Sequence, residues 1–396
     1  MLRTARSLLR STGRHLAESA WIPGENAVKN RSVVSTRPSR QCSTTNGSIN
    51  EETESSKTPR RAVLYVPGHS EKMLKKLTDL KVDCAVMECE DGVAVNKKAD
   101  ARETVCRMLD SLDLPLVTDV AVRINSMESG FAEDDLTSIL KAQRLPDTLF
   151  FPKVDSVEHI YWLVRQLKSN LRDRDVTSPL KVIIYAESAI ALLRLPEIIS
   201  EALELFDSEP FSLDGVVFGS DDYCANIGAT RSQDGRELLY ARQKVVSVAK
   251  AFGLQAIDMV HIDVKDQEGL KKYSEEGAMM GFTGKQVIHP TQVSIVQRAF
   301  SPSPERIEWA TELLAGFQQH QQTGQGAFMF RGSMIDMPLV LQARNVMELA
   351  KMDNLINHQR ADQGVFTFKD SMISIPLVLQ ARNVMELAKM DNPSTS

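Results

Sequence analysis

Apolar residues along this chain come in short runs that recur at intervals of roughly thirty residues from Ala62 onward. They fall at 62–66, 84–87, 120–124, 149–151, 182–185, 215–218, 256–262 and 279–282. Short unbroken runs of this kind suit strands buried on both faces, as in a parallel sheet. Between them the period mostly changes to that of a helix. Residues 71–80 place Met73, Leu74, Leu77 and Leu80 on one face, and 239–252 do the same with Val245, Val248, Ala249 and Phe252. Strand–helix alternation repeated eight times predicts an α/β fold, a (β/α)8 TIM barrel over residues 60–300. A doubly wound open sheet is the competing arrangement, but it normally has fewer strands and a glycine-rich first turn. The first turn here, Val66-Pro67-Gly68-His69-Ser70, carries one glycine and no dinucleotide fingerprint.

After His289-Pro290 the strand rhythm stops. Residues 303–319 read as a helix, with Pro304 in the first turn and Ile307, Leu314 and Phe317 along an apolar edge. An internal repeat follows: 326–354 and 364–392 correspond, and from Pro338 to Asn354 and from Pro376 to Asn392 the copies are identical. Two copies do not make a solenoid, which needs three or more units. The repeat is either a recent duplication of one small element or two alternative final exons joined. The prediction is a C-terminal helical lid extension at 301–354 and a duplicated lid-like segment at 355–396.

Charge and composition narrow the function classes. The 396 residues carry 47 basic and 52 acidic side chains, a formal net charge of −5, with no basic stripe, so a nucleic-acid partner is not expected. No apolar run of about 18 residues exists, so no membrane-spanning helix is expected. The five cysteines (Cys42, Cys84, Cys89, Cys106 and Cys224) are odd in number and form no CxxC pair. That argues against a disulfide framework or structural zinc and fits a reducing compartment. The start of the chain differs in kind. Arg3, Arg6, Arg10 and Arg14 fall on one helical face, leucines turn away from it, and the first acidic residue is Glu18. Residues 1–59 are therefore expected to comprise a mitochondrial transit peptide and a disordered linker, with a disordered basic tail as the plainer alternative.

In an α/β barrel the chemistry sits at the carboxyl ends of the strands. Here those ends read Glu88-Cys89-Glu90-Asp91-Gly92, Arg123-Ile124-Asn125, Pro152-Lys153, Ala186-Glu187-Ser188, Gly219-Ser220-Asp221-Asp222 and, after the last strand, Gly284 to Pro290. Glu187 and Asp222 end consecutive strands, which lie about 4.8 Å apart. Two carboxylates so close repel each other unless a cation sits between them or one keeps its proton. A divalent ion held by one or two carboxylates with water and substrate oxygens describes magnesium. A general-acid pair without metal is the alternative. No His or Cys cluster lines the rim, which disfavours zinc and copper. Arg123 supplies a planar cation for a carboxylate or a developing enolate, or else pairs with Glu90 or Asp91.

Taken in order, Arg61 to Gly68, Glu90-Asp91-Gly92-Val93, Val122 to Asn125, Pro152-Lys153-Val154, Glu187-Ser188, Gly219 to Asp222 and Lys285 to Pro290 resemble the citrate lyase beta-subunit-like family. The resemblance spans about 59–353 and includes the Ser-Met-Ile-Asp-Met-Pro stretch at 333–338. It implies a magnesium-dependent carbon–carbon lyase acting on acyl-CoA substrates, with citramalyl-CoA cleaved to pyruvate and acetyl-CoA and malate-synthase-like condensation as a side activity. It implies Glu187 and Asp222 as metal ligands and Arg123 as the substrate-binding arginine. Tyr65, Lys72 and Lys76 then match substrate and CoA contacts, and Ile288-His289 a segment lining the substrate. Asp336 matches an acid/base carried on a C-terminal lid, supplied by the neighbouring subunit of a homotrimer. A mitochondrial matrix location follows from the same resemblance and the N-terminal pattern.

Several readings stay open beside this one. Lys72 and Lys76 also suit a solvated helix face. Asp221 stands where many relatives have glutamate, which leaves Asp222 as the expected ligand and Asp221 behind it. Asp336 is also an N-cap before Pro338, a job that Ser374 of the second copy does equally well without offering a carboxylate base. The first copy is thus expected to close the site and the second to be redundant, mobile or a competing lid without the acid. A malyl-CoA or citryl-thioester lyase, a malate synthase and a non-catalytic acyl-CoA-binding protein are the competing functions.

Overall fold

The structure is a computed structural model. It describes residues 59–361 except 116, 233 and 323–327, together with 366–368 and 371–373; the expected transit peptide, most of the expected linker and Ser374 lie outside the described residues. Eight parallel strands close a barrel in chain order: β1 (Ala62–Pro67), β2 (Cys84–Glu88), β3 (Asp119–Arg123), β4 (Thr148–Phe151), β5 (Leu180–Ala186), β6 (Phe211–Phe218), β7 (Gln255–Asp258) and β8 (Gly284–Val287). The helices outside the barrel are α1 (Glu71–Lys75), α2 (Lys98–Ser111), α3 (Ala132–Ile139), α4 (Val157–Leu171) and α5 (Ala189–Phe206). They continue with α6 (Ser220–Ile227), α7 (Leu239–Ala251), α8 (Gln267–Met280) and α9 (Pro290–Ala299). The predicted TIM barrel is present. No helix among the described residues is long and apolar enough to cross a membrane.

Alternation along each strand divides its side chains between two cores. Val63, Val86, Ala121, Phe150, Ile183, Val217 and Ile257 point into the barrel and fill it. Their neighbours Leu64, Ala85, Val122, Leu149, Ile184 and Val216 pack outward against the helices. Both sets are buried, which is why the strands read as unbroken apolar runs.

The last two strands depart from the expectation. β7 stops at Asp258, and the apolar run at 279–282 is the end of α8 and the turn that follows it. Gly281 adopts a left-handed conformation (φ 100°), and the Phe282 N–H reaches back to the Gly277 carbonyl at 3.1 Å, closing the helix. The true β8 is Gly-Lys-Gln-Val, with both polar side chains buried. Lys285 ion-pairs with Asp258 at 3.3 Å, and Asp258 also takes Arg242 at 2.7 Å. Gln286 donates to the Phe218 carbonyl at 3.1 Å. A strand whose buried positions are polar and paired carries no hydrophobic signal. The helix expected at 71–80 is likewise shorter: α1 gives way to a 3-10 turn, Lys76–Asp79.

Beyond the barrel, α10 (Pro304–Gln322) leads to an antiparallel hairpin, β9 (Phe328–Phe330) with β10 (Ser333–Ile335), and then to α11 (Met337–Ala361). Ala310, Leu313 and Phe317 of α10 pack against Phe328, Ile335, Val340, Ala343 and Val346 in a small separate core. Asp353 of α11 ion-pairs with Arg61, which Asp83 also holds at 2.9 Å, so α11 is tied to the residue that precedes β1. A second hairpin, β11 (Phe366–Phe368) with β12 (Ser371–Ile373), belongs to the duplicated segment.

Candidate active site at the carboxyl ends of the strands

A cavity of about 430 Å³ opens at the mouth of the barrel. Its wall includes Tyr65 and Pro67 from β1, Glu88, Asp91 and Gly92 from β2 and its loop, and Arg123 from β3. Tyr185 and Glu187 come from β5, Gly219 to Asp222 from the end of β6, and Gln286 and Ile288 from β8. Of the predicted site residues, Tyr65, Arg123, Glu187, Asp222 and Ile288 are thus brought together. The rest are not on this wall. Lys72 and Lys76 are exposed on the first helical turns beyond β1. His289 is exposed and caps α9, its ring accepting from the Thr291 N–H at 3.3 Å. Asp336 is exposed just before α11, where its carbonyl receives the Leu339 and Val340 N–H groups at 3.2 Å.

Arg123 is held on every side. Its Nε donates to Glu88 at 2.6 Å and its Nη1 lies 3.1 Å from Glu90. The guanidinium also sits 5.0 Å from the Tyr65 ring centre and 5.6 Å from that of Tyr185, and the two phenols bond each other at 2.6 Å. A cation stacked on aromatic faces and forked onto carboxylates has one orientation available. Arg123 makes the expected pair with Glu90 and also lines the cavity.

Glu187 leaves β5 just before Ser188, whose hydroxyl caps α5 by accepting from the Ala191 N–H at 3.0 Å. Its Oε1 accepts from the backbone N–H of Lys153. Lys153 reaches that position with φ 53°, left-handed backbone that a side chain other than glycine seldom adopts. Across β6, a Cβ on Gly219 would come within 2.5 Å of the Glu187 carboxylate, so only glycine leaves room for it. Asp222 sits in the first turn of α6, nearly half exposed, while the Glu187 side chain is buried. Asp221 is engaged elsewhere, bonding Arg231 at 2.6 Å.

Negative charge is in excess here. Among the described residues, Glu88, Glu90, Asp91, Glu187 and Asp222 face only Arg123 and Lys153, whose ammonium lies 2.8 Å from Glu90, 3.5 Å from Asp91 and 3.8 Å from Asp222. Burial pushes Glu187 up to about 8, and the charges of Glu90 and Asp222 add to that. Burial likewise pushes Glu90 up to about 7 against the pull of Arg123, with Asp91 adding. Burial draws the Lys153 ammonium down, but its bond to Glu90 and the surrounding carboxylates outweigh that and leave its pKa raised. Glu90 Oε2 is buried and within ion-pair distance of Arg123, yet has no aligned hydrogen-bond donor. Such a cluster either keeps protons or takes a cation. Among the described residues no three His, Cys, Asp or Glu side chains are arranged to hold a metal alone. A metal fitting here would rest on two carboxylates and complete its shell with water and ligand oxygens, as magnesium does.

Glu88, Glu90, Lys153 and Tyr185 belong to this site; sequence reasoning offered Glu90 only as a partner for Arg123 and gave the other three no role. Lys153 was visible only as a charge after the fourth apolar run. Tyr185 closes the fifth run and carries no signal distinguishing it from a core residue.

Comparisons with known proteins agree with this geometry. The family model described as HpcH/HpaI aldolase/citrate lyase matches residues 61–290. The human protein named citramalyl-CoA lyase, mitochondrial, is 53% identical over 292 residues, covering 74% of this chain and 86% of that protein. A citrate lyase subunit beta from Leuconostoc mesenteroides subsp. cremoris is 28% identical over 303 residues, covering 75% and 95% respectively. Among solved structures, the protein CitE of Mycobacterium tuberculosis, crystallised with magnesium, acetoacetate and coenzyme A, is 28% identical with a TM-score of 0.60. That match covers 74% of this chain and 98% of CitE.

Proposed function

Because this chain belongs to the HpcH/HpaI aldolase/citrate lyase family, we propose that it is a magnesium-dependent lyase cleaving citramalyl-CoA to pyruvate and acetyl-CoA. The observation that carries the chemistry is the buried Glu187 carboxylate beside Asp222, in a cavity with more carboxylates than cations. The substrate follows from the 53% identical relative, and magnesium and coenzyme A from the CitE complex.

Cleavage releases the hydroxyl proton to water, turns that hydroxyl into the carbonyl of pyruvate as the carbon–carbon bond breaks, and passes the electron pair into the acetyl-CoA half as an enolate, whose α-carbon then takes a proton. Magnesium at Glu187 and Asp222 would polarise the hydroxyl and carboxylate of the bound acid. Arg123, fixed between Glu88 and the two tyrosines, presents its guanidinium to the charge that builds on the departing half. Tyr65 and Ile288 bound the substrate, with His289 shaping the turn after Ile288. Lys72 and Lys76 stand in solvent beyond the end of β1, where the CoA phosphates would emerge. Asp336 delivers the proton to the enolate carbon, the one beside the thioester carbonyl. It is exposed and absent from its own chain's cavity wall, which favours its delivery to a neighbouring subunit in a homotrimer. Residues 60–300 then form the catalytic domain, 301–354 the lid, and 1–59 a presequence and linker directing the protein to the mitochondrial matrix.

Pyruvate release from citramalyl-CoA, measured with a coupled dehydrogenase, should depend on magnesium and vanish with a chelator. The methyl group that separates citramalyl-CoA from malyl-CoA should make discrimination about 10–200-fold. Turnover unaffected by metal removal would overturn the assignment of Glu187 and Asp222.

Proton linkage makes a second test. Without metal, Glu187 holds a proton up to pH of about 8, whereas an ordinary glutamate loses it near 4.5. The folded state therefore keeps a proton that the unfolded chain has released, and metal-free stability falls as pH rises between those values. Magnesium must displace that proton, so its affinity should rise about tenfold per pH unit from 6 to 8 and then level off. Calorimetric titration in buffers of different ionisation enthalpy measures both quantities; a flat affinity over that range contradicts the linkage.

A further inference from the structure

We propose that Tyr185 is a positioning residue for the lyase reaction: it gives its hydroxyl proton to Tyr65 and so makes Tyr65 a hydrogen-bond donor towards the cavity. The direction of that proton follows from geometry that holds whatever the reaction is. Its effect on turnover rests on the lyase reading above.

The barrel closes in chain order, so β1 and β5 stand four strands apart, on opposite sides of the lumen. Alternation stacks Val63, Tyr65 and Pro67 up the inner face of β1, and Ile183, Tyr185 and Glu187 up that of β5. The 2.6 Å bond between the two phenols therefore spans the barrel. Beneath it lie Val63, Ile183 and the fully buried Phe150, whose ring meets each tyrosine edge-on at 6.2 Å between centres. Above it is the cavity. The bridge is at once the floor of the site and the roof of an apolar core.

One proton lies between the two oxygens, and either hydroxyl can supply it. Burial raises both above the ordinary phenol value, so each keeps its proton at neutral pH. The two orders are unequal. Tyr185 borders the cavity but is only 1% exposed, and among the described residues its hydroxyl bonds Tyr65 alone. Arg123, stacked over both rings, has no acceptor to offer. If Tyr65 donated, the Tyr185 proton would be buried without an acceptor, which costs as much as a lost bond. If Tyr185 donates, the proton left over is that of Tyr65, which is half-buried on the cavity wall where a ligand oxygen can take it. The second order strands nothing. A hydroxyl that accepts one bond also donates the next more strongly.

This donor is placed to act with Arg123. Nε and Nη1 of the guanidinium are committed to Glu88 and Glu90, and Nη2 has no partner among the described residues. Nη2 and the Tyr65 hydroxyl are then two donors on one wall, able to hold the oxygen on which charge builds as the acetyl-CoA half leaves as an enolate. Tyr185 acts only through Tyr65.

Two measurements on the full chain test this. In an equal mixture of light and heavy water, a tyrosine hydroxyl that exchanges slowly splits the magnetic resonance signal of the ring carbon bearing it. With that carbon isotopically labelled, Tyr185 should give two signals and Tyr65 one, with Tyr185→Phe and Tyr65→Phe identifying them. Two signals from Tyr65, or one from Tyr185, overturns the proposal. The second measurement is pyruvate release from citramalyl-CoA. Tyr65→Phe should lower kcat about 10²-fold with KM little changed, since the donor is felt as charge builds. Tyr185→Phe should lower kcat roughly tenfold. Once Tyr65 is phenylalanine, Tyr185→Phe should cost nothing further. Losses that multiply in the double variant, or full kcat in Tyr185→Phe, overturn the proposal. Magnesium affinity, which a distorted barrel would lower, should stay at its wild-type value in all three variants; a loss of turnover that appears only with lost affinity also overturns it. A wild-type protein that releases no pyruvate would overturn the lyase reading alone, and the carbon signals would still decide which tyrosine donates.

Discussion

Glu187→Gln is expected to lose magnesium-dependent turnover while the barrel stays folded. The substitution keeps shape and volume and removes only the charge. The Lys153 N–H that now bonds Oε1 still finds an amide oxygen to donate to, and Gly219 still leaves room for the side chain. Stability of the metal-free protein should rise slightly at pH 8 and above, since a buried carboxylate that burial and its neighbours disfavour has gone. The loss in activity follows from the charge stabilisation that a divalent ion contributes, several kcal/mol, or on the order of 10³-fold in kcat/KM. Asp222→Asn should behave alike, with a smaller change in stability because that carboxylate is nearly half exposed. Thermal melts, magnesium titration and pyruvate release measure the three quantities separately. An unaltered melting curve with full turnover in Glu187→Gln would remove the metal from this pair.

How far the sequence reached can be judged residue by residue. The barrel was legible because six of its strands are apolar runs ending within a few residues of where they were placed. The eighth was not, because Lys285 and Gln286 are buried by pairing rather than by hydrophobicity, and α8 ends in Met279 and Met280 just upstream. The β9–β10 hairpin also went unread, since three-residue strands are too short to establish a period. At the site, Glu187, Asp222 and Arg123 were singled out from position alone, since each lies at or within a few residues of the end of an apolar run. What chain order could not convey was the surrounding field. That Lys153 bridges Glu90, Asp91 and Asp222 depends on a left-handed residue at the end of β4. That Tyr185 joins Tyr65 on Arg123 depends on which face of β5 meets the barrel interior. Lys72, Lys76 and Asp336 came from resemblance to relatives, and the cavity wall of the single chain includes none of them.

The position of Asp336 leads to the second large effect. General acid–base groups typically contribute 10²–10⁴-fold, so Asp336→Asn should lower kcat by about that much. KM should change little, because the side chain is exposed and off the cavity wall of its own chain. Magnesium affinity should be unchanged, which separates this variant from Glu187→Gln. If the lid serves a neighbouring barrel, two inactive proteins can repair each other. Mixed assemblies of Asp336→Asn and Glu187→Gln chains contain sites that combine an intact Glu187 with an intact Asp336 from the next subunit. Random mixing in equal amounts in a cyclic assembly makes about a quarter of the sites whole. If the lid closes its own barrel, no such site exists and the mixture stays as inactive as its parents. Recovery on mixing therefore reports where the carboxylate acts, and the mass of the assembly in solution shows how many subunits share it.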